Sequence, residues 1–201
     1  MPDAPVVPLS DAASGERLES LRTALRAGGV FAIPTDTFYG LAADPLSEPG
    51  VGRVYALKGR SGAQALPVVI ASSAQLATLG VIASAEVLQK LEAIWPAPLT
   101  AVLPLIRPIA ASGGVPTLAV RVPDHPGLRR LLAGLGPLTA TSANRTGQPP
   151  ALSADAAARI FGSGLDFVVD AGPSENVVPS TIVDLTKSPP EILRSGAFPW
   201  S

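Results

Sequence analysis

Pro34-Thr35-Asp36-Thr37-Phe38-Tyr39-Gly40-Leu41 follows the apolar run Val30 to Ile33, and the reading of the chain turns on this stretch. A short uninterrupted apolar run followed by a Thr-Asp-Thr segment reads as a buried strand ending in a polar turn. In open α/β sheets, ligands bind at the turns beyond the carboxyl ends of strands. Lys58-Gly59-Arg60 would bring fixed positive charge to such a turn, and Ser142-Ala143-Asn144 would bring neutral hydrogen-bonding groups. Together they suit a phosphorylated ligand.

The remaining sequence is consistent with one compact unit. With 201 residues, 47% of them hydrophobic, there is enough apolar material for a core, and the expectation is a single domain over residues 1–201. The 19 glycines and 22 prolines are interleaved with apolar runs and read as turns, not as low-complexity tracts. A formal net charge of −1 gives no general attraction to nucleic acid or to an anionic membrane, so any basic site must be local. The chain has no cysteine and only one histidine, which excludes thiolate catalysis, cysteine-ligated metals and a histidine-rich metal centre. A cytoplasmic location fits these facts, and residues 1–10 do not read as a signal peptide. The uncharged run Ser61 to Ala85 is broken by Pro67, Gly80 and several hydroxyl residues, so no membrane-spanning helix is expected there.

Periodicity places alternating elements along the chain. Leu18, Leu21 and Leu25 share a helical face that Gly28-Gly29 closes, and Ser47 can cap a helix that delivers Lys58 and Arg60 at or past its C-terminal end. Cations also favour helix C-termini for dipole reasons alone, so this pair by itself is ambiguous. Leu66 to Ala71 reads as a strand. It is followed by a short helix capped at Ser72 or Ser73, a helix from Ala85 to Ile94, and strands over Leu99 to Leu105 and Leu118 to Val122. Pro126 opens a helix that Gly136-Pro137 ends, and Leu138 to Thr141 is a strand running into Ser142. Ser153 caps a last helix, and Phe167 to Asp170, Thr181 to Leu185 and Ile192 to Arg194 complete the strands. The alternation is too irregular for a pure βαβ array. An α/β (α+β) fold is expected, with helices packed on a twisted mixed sheet. Arg121 lies inside an apolar strand and needs either an internal carboxylate or an anionic ligand.

Familiar catalytic signatures are missing. There is no G-x-x-x-x-G-K-[ST] loop, no G-x-G-x-x-G after a strand and no G-x-S-x-G elbow, while His125 sits in a turn leading to a helix. What remains at strand ends is a set of cations and small polar groups: Thr35, Lys58, Arg60, Arg121, Ser142, Asn144, Ser180 and Arg194. It contains no evident nucleophile or strong base. Such a set suits phosphoryl or nucleotidyl transfer, where the protein contributes positioning and charge stabilisation.

The joint pattern resembles the YrdC-like family of threonylcarbamoyl-AMP synthases over nearly the whole chain. The residues that carry it are PTDTFYGLAAD from Pro34, ALKGR from Ala56, WPAPLTAVLP from Trp95, LAVRVPDHP from Leu118, TSANRTGQP from Thr141, PSTIVDL from Pro179 and ILRSG from Ile192. The resemblance implies a concave basic cavity in which L-threonine, bicarbonate or CO2, and ATP give L-threonylcarbamoyladenylate and pyrophosphate. A partner complex then passes the threonylcarbamoyl group to tRNA. Position by position, Thr35, Arg121, Ala140 and Ser180 resemble the threonine pocket, while Lys58, Arg60, Gln64, Thr117, Ser142, Asn144 and Arg194 resemble the ATP-facing set. Lys58 and Arg60 are its expected catalytic pair.

Magnesium is expected with ATP, held mainly through the nucleotide, with Asp36 and Asp44 as candidate ligands that equally suit turn closure. The match departs at Ser61-Gly62-Ala63, where relatives more often carry a proline-containing stretch, and at Val69, where some carry histidine. The chain resembles the short, single-domain form of the family. Three other readings stand beside this one, the plainest being a regulatory or scaffold protein that keeps the fold without turnover. A non-catalytic RNA-binding module of the same fold would add RNA or tRNA as a weak partner, but 4% aromatic residues and no basic stripe speak against it. A carbamoyl-adenylate domain of the hydrogenase-maturation type is disfavoured by the lack of cysteine.

Overall fold

The computed structural model describes residues 4–60, 64–175 and 178–200. In chain order the elements are β1 (Val6–Pro8), α1 (Leu9–Ala12), α2 (Gly15–Arg26), β2 (Phe31–Ile33), β3 (Gly40–Ala42), α3 (Glu48–Lys58), β4 (Val68–Val69), α4 (Ala85–Ile94) and β5 (Leu99–Pro104). They continue with β6 (Thr117–Arg121), α5 (Pro126–Leu135), β7 (Leu138–Thr139), β8 (Thr141–Ser142), α6 (Ala154–Phe161), β9 (Phe167–Asp170), β10 (Thr181–Asp184) and β11 (Glu191–Arg194).

The mixed α/β class holds, and the strands divide between two sheets instead of forming one. The first sheet runs β1-β9-β2-β3-β8 and the second β11-β10-β5-β6-β4-β7. Each mixes parallel and antiparallel pairs, for example β2 parallel to β9 and antiparallel to β3. The strand expected over Leu138 to Thr141 is where they join. Thr139 pairs with Val68 in the second sheet, whereas Thr141 pairs with Leu41 in the first, so the chain changes sheets at Ala140. Thr139 stitches the seam, because its hydroxyl accepts from the Ala43 amide at 2.9 Å and its own amide donates to the Ala43 carbonyl at 2.9 Å.

The helix starts follow from their capping residues. Ser47, Ser84 and Ser153 each accept from the amide three residues on, at 3.1–3.2 Å, which satisfies one orphan donor of the first turn. His125 does the same through Nδ1 for Leu128, one residue before Pro126. Its role here is that of a cap. Gly59, at φ 66°, ends α3 in the left-handed conformation that a side chain would resist.

Three elements, β1, α1 and β3, escaped the sequence pattern, and the strand expected over Leu66 to Ala71 is shorter than expected. β1 lies in a proline-rich segment and β3 begins at Gly40, so neither shows a clear alternation. Only Val68 and Val69 of the Leu66 to Ala71 run form a strand. Phe31 and Ile33 face one apolar cluster with Leu21, Leu25 and Leu128, while Ala32 faces the other with Leu41, Val54 and Leu118. β2 is therefore covered on both faces, which explains its unbroken apolar run. Among the described residues, no helix is long and apolar enough to cross a membrane.

Candidate functional site

A cavity of ≈ 490 Å3 opens where the two sheets meet. That volume is within the usual range for small-molecule sites. Its first wall is the turn after β2. Thr35 holds this turn closed, since its hydroxyl donates to the Phe38 carbonyl at 2.7 Å and accepts from the Thr37 amide at 3.1 Å. The turn presents Asp36 to Arg121, and the pair is 3.2 Å apart with side chains 6% and 8% exposed. The other oxygen of Asp36 accepts from the Asp124 amide at 3.2 Å. Asp36 is thus the internal carboxylate that the buried arginine required.

Arg121 Nη1 and Asp36 Oδ1 attract each other by charge, yet neither makes a hydrogen bond. Arg121 is among the residues lining the cavity, while its Nη1 is buried against Asp36. Burial pulls its pKa down, Asp36 opposes this in part, and the positive field of Arg194 adds to the fall.

The second wall comes from β10 and β11. Ser180, just before β10, meets the Thr100 hydroxyl at 2.9 Å, and Arg194 grips the Ser180 carbonyl through Nε at 3.0 Å and Nη2 at 2.7 Å. Thr181 secures the segment after β11. Its hydroxyl donates to Phe198 O at 2.6 Å and accepts from the Gly196 and Phe198 amides. Gly196 runs so close to Pro179 and Ser180 that a Cβ there would fall 2.2 Å from a backbone oxygen.

The third wall joins the end of α3 to the Ser142–Gln148 segment. Arg60 projects past Gly59 and donates through Nε to the Thr146 hydroxyl at 3.2 Å. Lys58 turns inward and is 1% exposed. Its ammonium donates to Ser142 O at 2.5 Å and to Asn144 O and Oδ1 at 3.1 Å each. Burial, and then the neighbouring Arg60, pull its pKa down to about 8.

Of the residues singled out from sequence, Thr35, Arg60, Arg121, Ala140, Ser142, Ser180 and Arg194 line this one cavity. Lys58, Gln64, Thr117 and Asn144 are not among its lining residues. Lys58 and Asn144 stand behind the wall, Gln64 is exposed, and Thr117 is further along the β6 face that carries Ala119 and Arg121. Ser61-Gly62-Ala63 lies outside the described residues, while Val69 does line the cavity. Sequence reasoning gives Thr100, Thr181 and Gly196 no role of their own, although they lie in the segments WPAPLTAVLP, PSTIVDL and ILRSG. A hydroxyl inside the apolar strand Leu99–Pro104 is a further signal for Thr100.

Three arginines and no carboxylate line the cavity among the described residues. The expected magnesium finds no protein ligand set there. Asp36 is committed to Arg121 and Asp124, Asp44 accepts from the Leu46 amide at 2.9 Å outside the cavity, and no group of three metal-ligating side chains occurs among the described residues. Its oxygens would have to come from a bound nucleotide.

Comparison with known proteins follows the same lines. The family model Sua5_yciO_yrdC, described as "Telomere recombination", matches residues 23–196. A threonylcarbamoyl-AMP synthase of Pyrococcus abyssi is 39% identical over 180 residues, 87% of this chain and 52% of that protein. One from Halorhodospira halophila is 41% identical over 156 residues, covering 76% of this chain and 82% of the relative. The crystal structure of P. abyssi Sua5 complexed with L-threonine superposes with a TM-score of 0.82 at 36% identity, over 90% of this chain and 54% of that one. The chain thus spans about half the length of the P. abyssi protein.

Proposed function

The chain belongs to the Sua5_yciO_yrdC family, and from that premise we propose that it makes L-threonylcarbamoyl-AMP and pyrophosphate from L-threonine, bicarbonate or CO2, and ATP. The observation that carries the reading is the convergence of Arg60, Arg121 and Arg194 on one cavity without a lining carboxylate. Such a field suits a polyanion beside an amino-acid carboxylate. Relatives named as threonylcarbamoyl-AMP synthases, and the related structure holding L-threonine, support the choice of ligands.

The threonine amine adds to CO2 and loses a proton, giving a carbamate. A carbamate oxygen then attacks the α-phosphorus of ATP in line, forming the new P–O bond as the bond to the β-phosphate oxygen breaks and pyrophosphate leaves. Neither step needs a protein nucleophile. In this reading Arg121 holds the threonine carboxylate, with Ser180 and Ala140 beside it, and Arg60 and Arg194 meet the phosphates. Stabilising the charge that develops on departing oxygens is the main service such groups provide. The adenylate then passes to a complex that transfers the threonylcarbamoyl group to tRNA. We place this activity in the cytoplasm.

The test is pyrophosphate release from ATP with threonine and bicarbonate present together or omitted singly. Both are expected to be required, and equal release without threonine would refute the substrate assignment.

A further inference from the structure

We propose that Thr100 is a further residue that contacts the substrate: its hydroxyl, the last member of an Arg194–Ser180–Thr100 chain, donates to an anionic oxygen held between Arg121 and Arg194. In the proposed reaction that oxygen belongs to the carbamate, so the inference rests on that reading.

The place of Thr100 follows from its strand. Leu99, Ala101 and Leu103 of β5 are buried in the apolar core, and Thr100 between them falls on the other face and lines the cavity. Ile182 pairs with Thr100 on one side and with Arg194 on the other. Towards β6, Ala101 pairs with Val120, and the next residues on the two strands are Thr100 and Arg121. Thr100, Ile182, Arg121 and Arg194 all line the cavity, so a hydroxyl stands between two guanidinium groups. An amino acid with its carboxylate at Arg121, and its nitrogen linked through a carbamate to a phosphate at Arg194, places the carbamate in that gap.

The direction of the hydrogen bonds makes Thr100 the donor. A guanidinium only donates, so Ser180 Oγ accepts from Arg194 Nη2 at 3.0 Å and its own hydrogen must turn elsewhere. Thr100 Oγ1, 2.9 Å away, is the acceptor within reach. A hydroxyl that accepts from a cation is a stronger donor, so the chain runs away from Arg194, through Ser180 to Thr100. Among the described residues Ser180 Oγ is the one partner of the Thr100 hydroxyl, which leaves the Thr100 hydrogen for a ligand. Three arginines and no carboxylate line the cavity among those residues, so the acceptor comes with a bound anion. Filling alone would suit valine, which has nearly the same shape and no hydrogen to satisfy.

The test follows pyrophosphate release with bicarbonate and threonine varied, and equilibrium binding of ATP, for Thr100→Val and Thr100→Ser. Thr100→Val is expected to lower kcat/KM for bicarbonate about 10–100-fold, with ATP binding unchanged and the thermal midpoint no lower. Thr100→Ser keeps the hydroxyl and should recover most of that loss. A second readout needs no substrate, because in mixed H2O and D2O a slowly exchanging hydroxyl splits the ¹³Cβ signal of its residue. Ser180 is expected to show the splitting and Thr100 a single signal. Unaltered bicarbonate kinetics in Thr100→Val would overturn the proposal, as would an equal weakening of ATP binding, a loss that Thr100→Ser does not recover, or the reverse pattern of splitting. Release that needs neither threonine nor bicarbonate would count against the proposed reaction alone, and the splitting would still decide which hydroxyl is the free donor.

Discussion

Two of the three charged walls of the cavity, the one with Arg121 and the one with Arg60, are built in opposite ways. Arg121 belongs to the interior of a sheet, with its carboxylate partner Asp36 at 3.2 Å and both side chains under a tenth exposed. Arg60 stands past the left-handed Gly59, half-buried, with its Nε on the Thr146 hydroxyl. The first wall is set before any ligand arrives, so it suits a small rigid group such as a carboxylate. The wall of Arg60 leaves its arginine free to follow a longer, flexible anion. Rigid burial gives orientation at a cost in desolvation, and half-exposure gives reach with less charge strength.

The contrast can be broken most severely at Asp36. Asp36→Asn leaves the Arg121 charge buried without its counter-ion, and the expected loss is about 3–5 kcal/mol of unfolding free energy, read by urea denaturation. A loss under 1 kcal/mol, on the order of an exposed pair, would show that the two walls are not different in kind. Arg60→Ala should do the reverse, with stability nearly unchanged and pyrophosphate release slower by about 10²–10³-fold. Gly196→Ala sharpens the comparison from the side of Ser180 and Arg194. Its Cβ has no room against Pro179 and Ser180, so the segment must shift, at about 1–3 kcal/mol measured as a lowered midpoint of thermal unfolding.

Much of this arrangement could be read before the fold was known, where a residue type has one job. Ser47, Ser153 and Pro126 mark helix starts because the orphan amides of a first turn need an acceptor or a missing donor. The apolar run before Pro34 marks a doubly covered strand, and Arg121 announces a partner because a buried charge cannot stand alone.

What stayed hidden depends on direction and distance. Periodicity cannot say that Thr139 and Thr141 serve different sheets, since both sides of the Ala140 switch carry two-residue strands. Nor does a K-x-R spacing tell which cation turns inward. Gly59 in the left-handed conformation separates the courses of Lys58 and Arg60, and the acceptors that claim Lys58 come from a segment 84 residues further on.

The most direct measurement supplies ¹³C-bicarbonate with ATP and threonine and follows the nucleotide product by mass spectrometry and ¹³C NMR. An adenylate of threonine bearing the label in its carbamoyl carbon is expected, formed only when all three substrates are present. Pyrophosphate release that yields AMP or an unlabelled threonyl adenylate would contradict the claim that one cavity joins a carbamate to the α-phosphate.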